Sequence, residues 1–204
     1  TALMFAEIAR QAGLPDGALN VVPGLGAEAG AALSSHAGVQ HISFTGSVAT
    51  GALVQQAAGA NVIPVTLELG GKSPRLVFED ADIDAAANGL IAGNFGASGQ
   101  SCVAGTRGLV QRSIYDRLVA AISEKSKRLV VGDPHDPATH LGPLCTQAQV
   151  SKIEETLTIA KSQGARIAFG GTRAGDKQGN YFHPTLVLCD TPNIETLKVE
   201  MFGP

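Results

Sequence analysis

Short apolar runs of strand length alternate with helical stretches from the first residues onward, and this alternation restricts the fold more than any other feature of the chain. Leu3, Phe5, Ile8, Ala9 and Ala12 recur near helical spacing, and Gly13 with Pro15 ends that helix. Ala18–Val22 then reads as a strand, Pro23-Gly24-Leu25-Gly26 as a turn, 27–35 as a helix and His41–Phe44 as the next strand. Ser47–Ala58 follows as a helix and Val62–Leu69 as a strand interrupted by Pro64. Strands separated by helices pair in parallel through right-handed crossovers, so the expected class is α/β.

Gly70-Gly71 breaks the pattern and marks the expected domain boundary, dividing the chain into 1–69 and 70–204. A second alternation follows it. Arg75–Phe78 reads as a strand, Asp82 caps a helix to Asn94, and Gly108–Gln111 is a further strand. Tyr115–Arg128 is an amphipathic helix with Leu118, Val119, Ile122 and Leu129 inward. A loop over 130–143, a helix over 147–163, a strand Ala165–Phe169, a turn-rich connector over 170–179, a strand Tyr181–Leu188 and a short segment Glu195–Phe202 complete the chain.

Composition narrows the partners. A net charge of -3 leaves no basic footprint for nucleic acid, and no run of Lys and Arg suggests a membrane-surface helix. No apolar run reaches membrane-spanning length. The cysteines, Cys102, Cys145 and Cys189, are odd in number and far apart, which argues against a disulfide framework or structural zinc and favours a reducing, cytoplasmic setting. The five histidines show no metal-ligand spacing, so no metal is expected. The first half carries few charges and reads as core-like. The chain opens at Thr1 inside an apolar pattern and stops at Gly203-Pro204, which reads as part of a larger architecture or as a chain whose apolar faces need a partner.

Four stretches carry possible chemistry. In Gly99-Gln100-Ser101-Cys102-Val103-Ala104-Gly105 a cysteine lies among small residues, where a carbonyl and the backbone can approach its sulfur; a buried structural thiol needs no more than this. Gly24-Leu25-Gly26-Ala27-Glu28-Ala29-Gly30 follows a strand and opens a helix, but its GxGxxxG spacing is one residue too long for a dinucleotide fingerprint, and no acid stands about twenty positions on to take a ribose. Phe44-Thr45-Gly46-Ser47 is a strand end, turn and N-cap, fit either for a phosphate or for simple capping. In Leu67-Glu68-Leu69-Gly70-Gly71-Lys72-Ser73-Pro74 a carboxylate lies between leucines, which favours a raised pKa and general-base work; the alternative is Glu68 facing solvent and Lys72 a solvated lysine. Cys145 and Cys189 are read as structural.

Three of these stretches, with Glu200-Met201-Phe202-Gly203-Pro204, together resemble the NAD(P)-dependent aldehyde dehydrogenases, and the resemblance runs from Thr1 to Pro204. It implies a Rossmann-like parallel sheet portion in 1–69, the partial cofactor-binding domain, followed by an α/β catalytic domain, incomplete at its C-terminus, in 70–204. It implies Cys102 as the nucleophile that gives a thiohemiacetal and then a thioester, and Glu68 as the base for the hydrolytic water. It places Ser47 on the cofactor pyrophosphate, Gly46 by the nicotinamide, Leu69 near its carboxamide, Glu200 on the nicotinamide ribose, Phe202 near the ring, and Pro23 and Gly24 beside the adenosine half. NAD or NADP is the implied cofactor, a small-molecule aldehyde the substrate, and an oligomer the full-length assembly.

The family's upstream oxyanion-hole asparagine and its adenosine-gripping Lys-Pro-Ser-Glu-like segment have no match in these residues. The resemblance therefore implies a fragment with little or no turnover of its own. Two other functions stay open: a CoA-acylating dehydrogenase, against which Glu68 argues, and a non-catalytic remnant or partner-dependent subunit, which thiol labelling of Cys102 would separate from a live site.

Overall fold

The computed structural model describes residues 1–175 and 178–204. The chain divides into two compact units, Thr1–Leu69 and Gly70–Pro204. The connector expected over 170–179 lies partly outside the described residues.

In the first unit, α1 (Ala2–Gln11) precedes a π-helical turn at Gly26–Gly30 that runs into the short α2 (Ala31–Ser35). Strand β1 (Ile42–Gly46), helix α3 (Val48–Ala60) and strand β2 (Val65–Leu69) follow, with β1 and β2 parallel. The register pairs Thr45 with Glu68 and Gly46 with Leu69, so the two strands end side by side. Gly51 is buried on α3 facing Leu69, and a Cβ there would come within 2.6 Å of the leucine Cδ2; glycine is what lets the helix close onto the strand.

Four expectations fail in this unit. Ala18–Val22 is no strand: among the described residues no segment pairs with it, and the Ala18 N–H and the Asn20 amide close turns onto the Pro15 and Gly17 carbonyls. The helix expected over 27–35 is broken into the π turn and α2. The strand expected from Val62 starts at Val65, because Val62 takes a positive φ of 54° at the end of α3 and Pro64 has no N–H. The core-like composition is also not matched by burial, since α1 buries no residue and Leu3, Met4, Phe5 and Ile8 are all exposed.

The second unit contains the larger core. Strand β3 (Pro74–Val77) and strand β4 (Arg107–Val110) pair in parallel around α4 (Ile83–Phe95), and α5 (Tyr115–Ser126) packs on α4. Helix α6 (Gln147–Ser162) leads to β5 (Arg166–Phe169), which pairs antiparallel with β6 (Leu186–Leu188). One cluster joins Val77 and Leu90 with the inward face of α5, Leu118 and Ile122, and takes Val110, Phe169 and Leu186 at its border. A second joins Val150, Ile153 and Leu157 of α6 with Phe182, bordered by Ile167 and Val187. Adjacent residues of β6 thus face opposite clusters, as strand alternation requires. The expected strand Tyr181–Leu188 shrinks to Leu186–Leu188 with an isolated bridge from Phe182 to Arg173; Pro184 cannot donate to a ladder. The expected segment Glu195–Phe202 is helical only over the single 3-10 turn Glu195–Leu197.

Asp82 caps α4 as expected, its carboxylate accepting from Ala85 N–H at 2.8 Å. Asp82→Ala is expected to lower unfolding stability by about 1 kcal/mol, measured by urea titration. An unchanged midpoint would show that the cap contributes nothing.

Candidate functional site

In the first unit, the parallel register brings Gly46, Ser47, Glu68 and Leu69 to the carboxyl ends of adjacent strands, the end at which open α/β sheets bind ligands. Ser47 is the N-cap of α3: its hydroxyl accepts from Thr50 N–H at 3.2 Å and lies 2.9 Å from the Thr50 hydroxyl. The first turn of α3 holds no acid, so its unpaired N–H groups and positive dipole end are free to face an anion. The other glycine-rich turn differs. Gly26–Gly30 carries Glu28 in its first turn, which places negative charge where a phosphate would sit. Pro23 and Gly24 lie exposed in the loop before that turn, with Gly24 packed against the Ala29 side chain, on a different element from Gly46 and Ser47.

The surroundings expected for Glu68 are not those observed. Strand alternation turns Leu67 and Leu69 to one face and Glu68 to the other, where it is exposed; its sequence neighbours do not desolvate it.

In the second unit, three stretches far apart in sequence meet: Gly70-Gly71, the Cys102 loop, and Glu200–Gly203. The Glu200 carboxylate accepts from Gly71 N–H at 3.2 Å and fills the space where a side chain on Gly70 would be. Lys152 of α6 donates to the Glu200 carbonyl at 2.6 Å, and the Gln149 amide donates to the Met201 carbonyl, so α6 fixes this segment from behind. Phe202 is left in a left-handed conformation, φ 49°, with its ring partly exposed.

The Cys102 loop is held by its backbone. Ala97, Ser98 and Gly99 take positive φ in succession, 51°, 55° and 71°, a strained course for two non-glycine residues. Ser98 hydroxyl donates to the Gly142 carbonyl at 3.0 Å, and Gln100 Oε1 accepts from Cys145 N–H at 3.0 Å. At Gly99 a Cβ would strike the Gly203 backbone, so both the φ and the close approach demand glycine. The Cys102 thiol is exposed at the end of this loop.

Two sequence expectations about the loop change. Ala104 and Gly105 are small for packing and do not open the sulfur to a ligand: both are buried, and Gly105 makes room for the Arg75 side chain. Cys145, read as structural, is exposed, whereas Cys189 is partly buried with its sulfur 3.6 Å from the Thr196 hydroxyl.

Sequence reasoning missed Gln100, Gln149 and Lys152, whose parts consist of long-range bonds with no local pattern. It also undervalued Lys72. Burial, with a contribution from Arg107 and against the pull of Glu200, lowers its amine from 10.5 to about 8. Between about pH 8 and 10.5 the unfolded chain therefore holds a proton that the folded chain has lost, so stability rises with pH across that window. Urea titrations at pH 8 and pH 10 should show a gain on the order of 2 kcal/mol that Lys72→Met abolishes. An equal gain in the variant would assign it to other groups.

The aldehyde dehydrogenase family model matches residues 1–204. Aldehyde dehydrogenase family 2 member C4 of Arabidopsis thaliana is 44% identical over all of this chain, which covers 41% of that protein. Among solved structures, an NAD-dependent aldehyde dehydrogenase from Sinorhizobium meliloti superposes with a TM-score of 0.95 at 40% identity, over 100% of this chain and 40% of that one. A betaine aldehyde dehydrogenase from Staphylococcus aureus in complex with NAD+ gives 0.95 at 36% identity, over 99% and 41%. The chain thus spans about two fifths of the relatives it matches, with the α/β fold they share. It belongs to the aldehyde dehydrogenase family.

Proposed function

We propose that this chain carries the nucleophile, the hydrolytic base and part of the dinucleotide site of an enzyme that oxidises an aldehyde to a carboxylic acid. The observation that carries the proposal is the exposed Cys102 thiol on a strained loop locked by Gly99 against the Glu200–Gly203 segment. Loop strain held by surrounding structure is typical of a group kept in a reactive position.

The Cys102 sulfur, as thiolate, bonds to the aldehyde carbon, and the carbonyl electron pair moves onto oxygen; the Cys102 backbone N–H is a donor for that oxyanion. A bound NAD or NADP supplies the acceptor for the hydride that leaves the same carbon, which becomes a thioester. Glu68 takes a proton from the water that attacks the thioester, and Cys102 departs as thiolate with release of the acid. The α3 N-terminus behind Gly46 and Ser47 suits the cofactor pyrophosphate, and the Glu200 carboxylate suits a ribose hydroxyl. Leu69 and Phe202 offer apolar surface to the nicotinamide end, and Pro23 and Gly24 are assigned to the adenosine half. In these roles 1–69 is the cofactor-binding part and 70–204 the catalytic part. The Sinorhizobium meliloti relative is NAD-dependent and the Staphylococcus aureus relative was solved with NAD+, which supports the cofactor class. We assign the working enzyme to an oligomer in a reducing, cytoplasmic setting.

Thiol labelling of the purified chain tests the site. Cys102 and Cys145 are both exposed, so a rate difference between them reports reactivity and not access. Cys102 is expected to react with iodoacetamide at neutral pH about tenfold faster than Cys145. Equal rates would favour a non-catalytic remnant.

A further inference from the structure

Arg75 stands on β3, and its side chain crosses to α4 and to the loop that carries Cys102. Nη1 donates to the Gly89 carbonyl of α4 at 3.2 Å. Nη2 occupies the space that a side chain on Gly93 would need, and Nε the space that a side chain on Gly105 would need. Neither glycine takes a left-handed φ, so what glycine supplies at both positions is room for the guanidinium.

These contacts bracket the reactive loop. Gly93 lies in the last turn of α4, which ends at Phe95 and leads into the strained run Ala97–Gly99, and Gly105 lies where the chain leaves Cys102 for β4. One planar group thus touches the chain on both sides of the thiol. The last turn of α4 holds no basic residue of its own, and the Arg75 charge beside Gly93 complements the negative end of the helix dipole. The Arg75 Nε is buried without a hydrogen-bond partner, which costs stability that an apolar side chain of similar length would retain.

We propose that Arg75 is a positioning residue for the Cys102 nucleophile: its guanidinium ties the end of α4 to the exit of the loop and so fixes the course on which the thiol is presented. Positive φ at non-glycine residues persists only where the surroundings hold it. The bonds of Ser98 and Gln100 fix the loop ahead of Cys102, whereas Arg75 acts on both sides of it. A lysine at this position would keep the charge and lose the planar fork that fits between the two glycines. The proposal rests on Cys102 being the nucleophile.

Iodoacetamide labelling of the 204-residue chain, with Cys145 as the internal reference, tests it. Arg75→Ala is expected to slow Cys102 about tenfold, to within about twofold of Cys145. Guanidinium chloride at about 20 mM, too little to unfold a small domain, should restore most of the lost rate, and the same concentration of sodium chloride should not. Gly93→Ala is the second variant. Its methyl group displaces the guanidinium while alanine favours the helix, so Cys102 should slow about as much with no fall in melting temperature. In the Arg75→Ala background the same change should have no further effect, because the group it displaces is gone. An undiminished Cys102 rate in either variant, further slowing in the double variant, or a loss that guanidinium does not recover would overturn the positioning role and leave Cys102 as the nucleophile. Equal rates at Cys102 and Cys145 in the unmutated chain would overturn both.

Discussion

Cys102→Ser, placed in a chimera whose matched segment of the Sinorhizobium meliloti dehydrogenase is replaced by residues 1–204, is expected to lower NAD reduction with an aldehyde at least about 10³-fold relative to the unmutated chimera. Serine keeps the shape and loses the acidity: at neutral pH its hydroxyl is not ionised, and no neighbouring group in the Cys102 loop acts as a base toward it. The thiol is exposed and makes none of the bonds that fix the loop, which belong to Ser98, Gly99 and Gln100. Folding stability should therefore change by no more than about 0.5 kcal/mol, so that a melting curve separates lost chemistry from lost structure. Cys145→Ser in the same chimera should leave turnover within about twofold.

Glu68→Gln acts on a different step. Hydride transfer precedes the need for a base, so the first turnover should still release one equivalent of reduced cofactor per site as a burst. The steady-state rate that follows should fall on the order of 10²- to 10⁴-fold, the usual contribution of a positioned general base. Rapid-mixing absorbance at the reduced-nicotinamide band reads both phases. Loss of the burst together with the steady state would move Glu68 from hydrolysis to the chemistry before it. An unchanged steady state would point to another base. If coenzyme A restored turnover in the unmutated chimera and water alone did not, the acylating alternative would replace the hydrolytic one.

The parts of this molecule legible in the sequence are those fixed by short-range rules. Helices α3, α4 and α6 begin where Ser47, Asp82 and Thr146 can cap them, each side chain accepting a backbone N–H from the first turn. The inward face of α5 follows from the spacing of Leu118 and Ile122. Ala18–Val22 has residue types that suit a strand, yet pairing is a property of two segments, and among the described residues no second segment lies beside it.

The candidate site divides in the same way. Cys102, Glu68 and the Gly46-Ser47 turn lie in recognisable local motifs. Their surroundings do not follow from those motifs: Glu68 has leucines on both sides in sequence and faces away from both, and Lys72 carries no local mark of the burial that lowers its pKa. The reason for glycine at position 99 is the Gly203 backbone, over a hundred residues later. Gln100, Gln149 and Lys152 act through bonds spanning 45 to 52 positions, which no local pattern signals.

The most direct test of the account is to trap the covalent intermediate. The Glu68→Gln chimera, mixed with aldehyde and NAD and quenched in acid after the burst, should gain the mass of one acyl group, which proteolysis should locate on the peptide containing Cys102. An acyl group on Cys145 or Cys189, or a burst of reduced cofactor with no added mass, would contradict the assignment of Cys102 as the nucleophile.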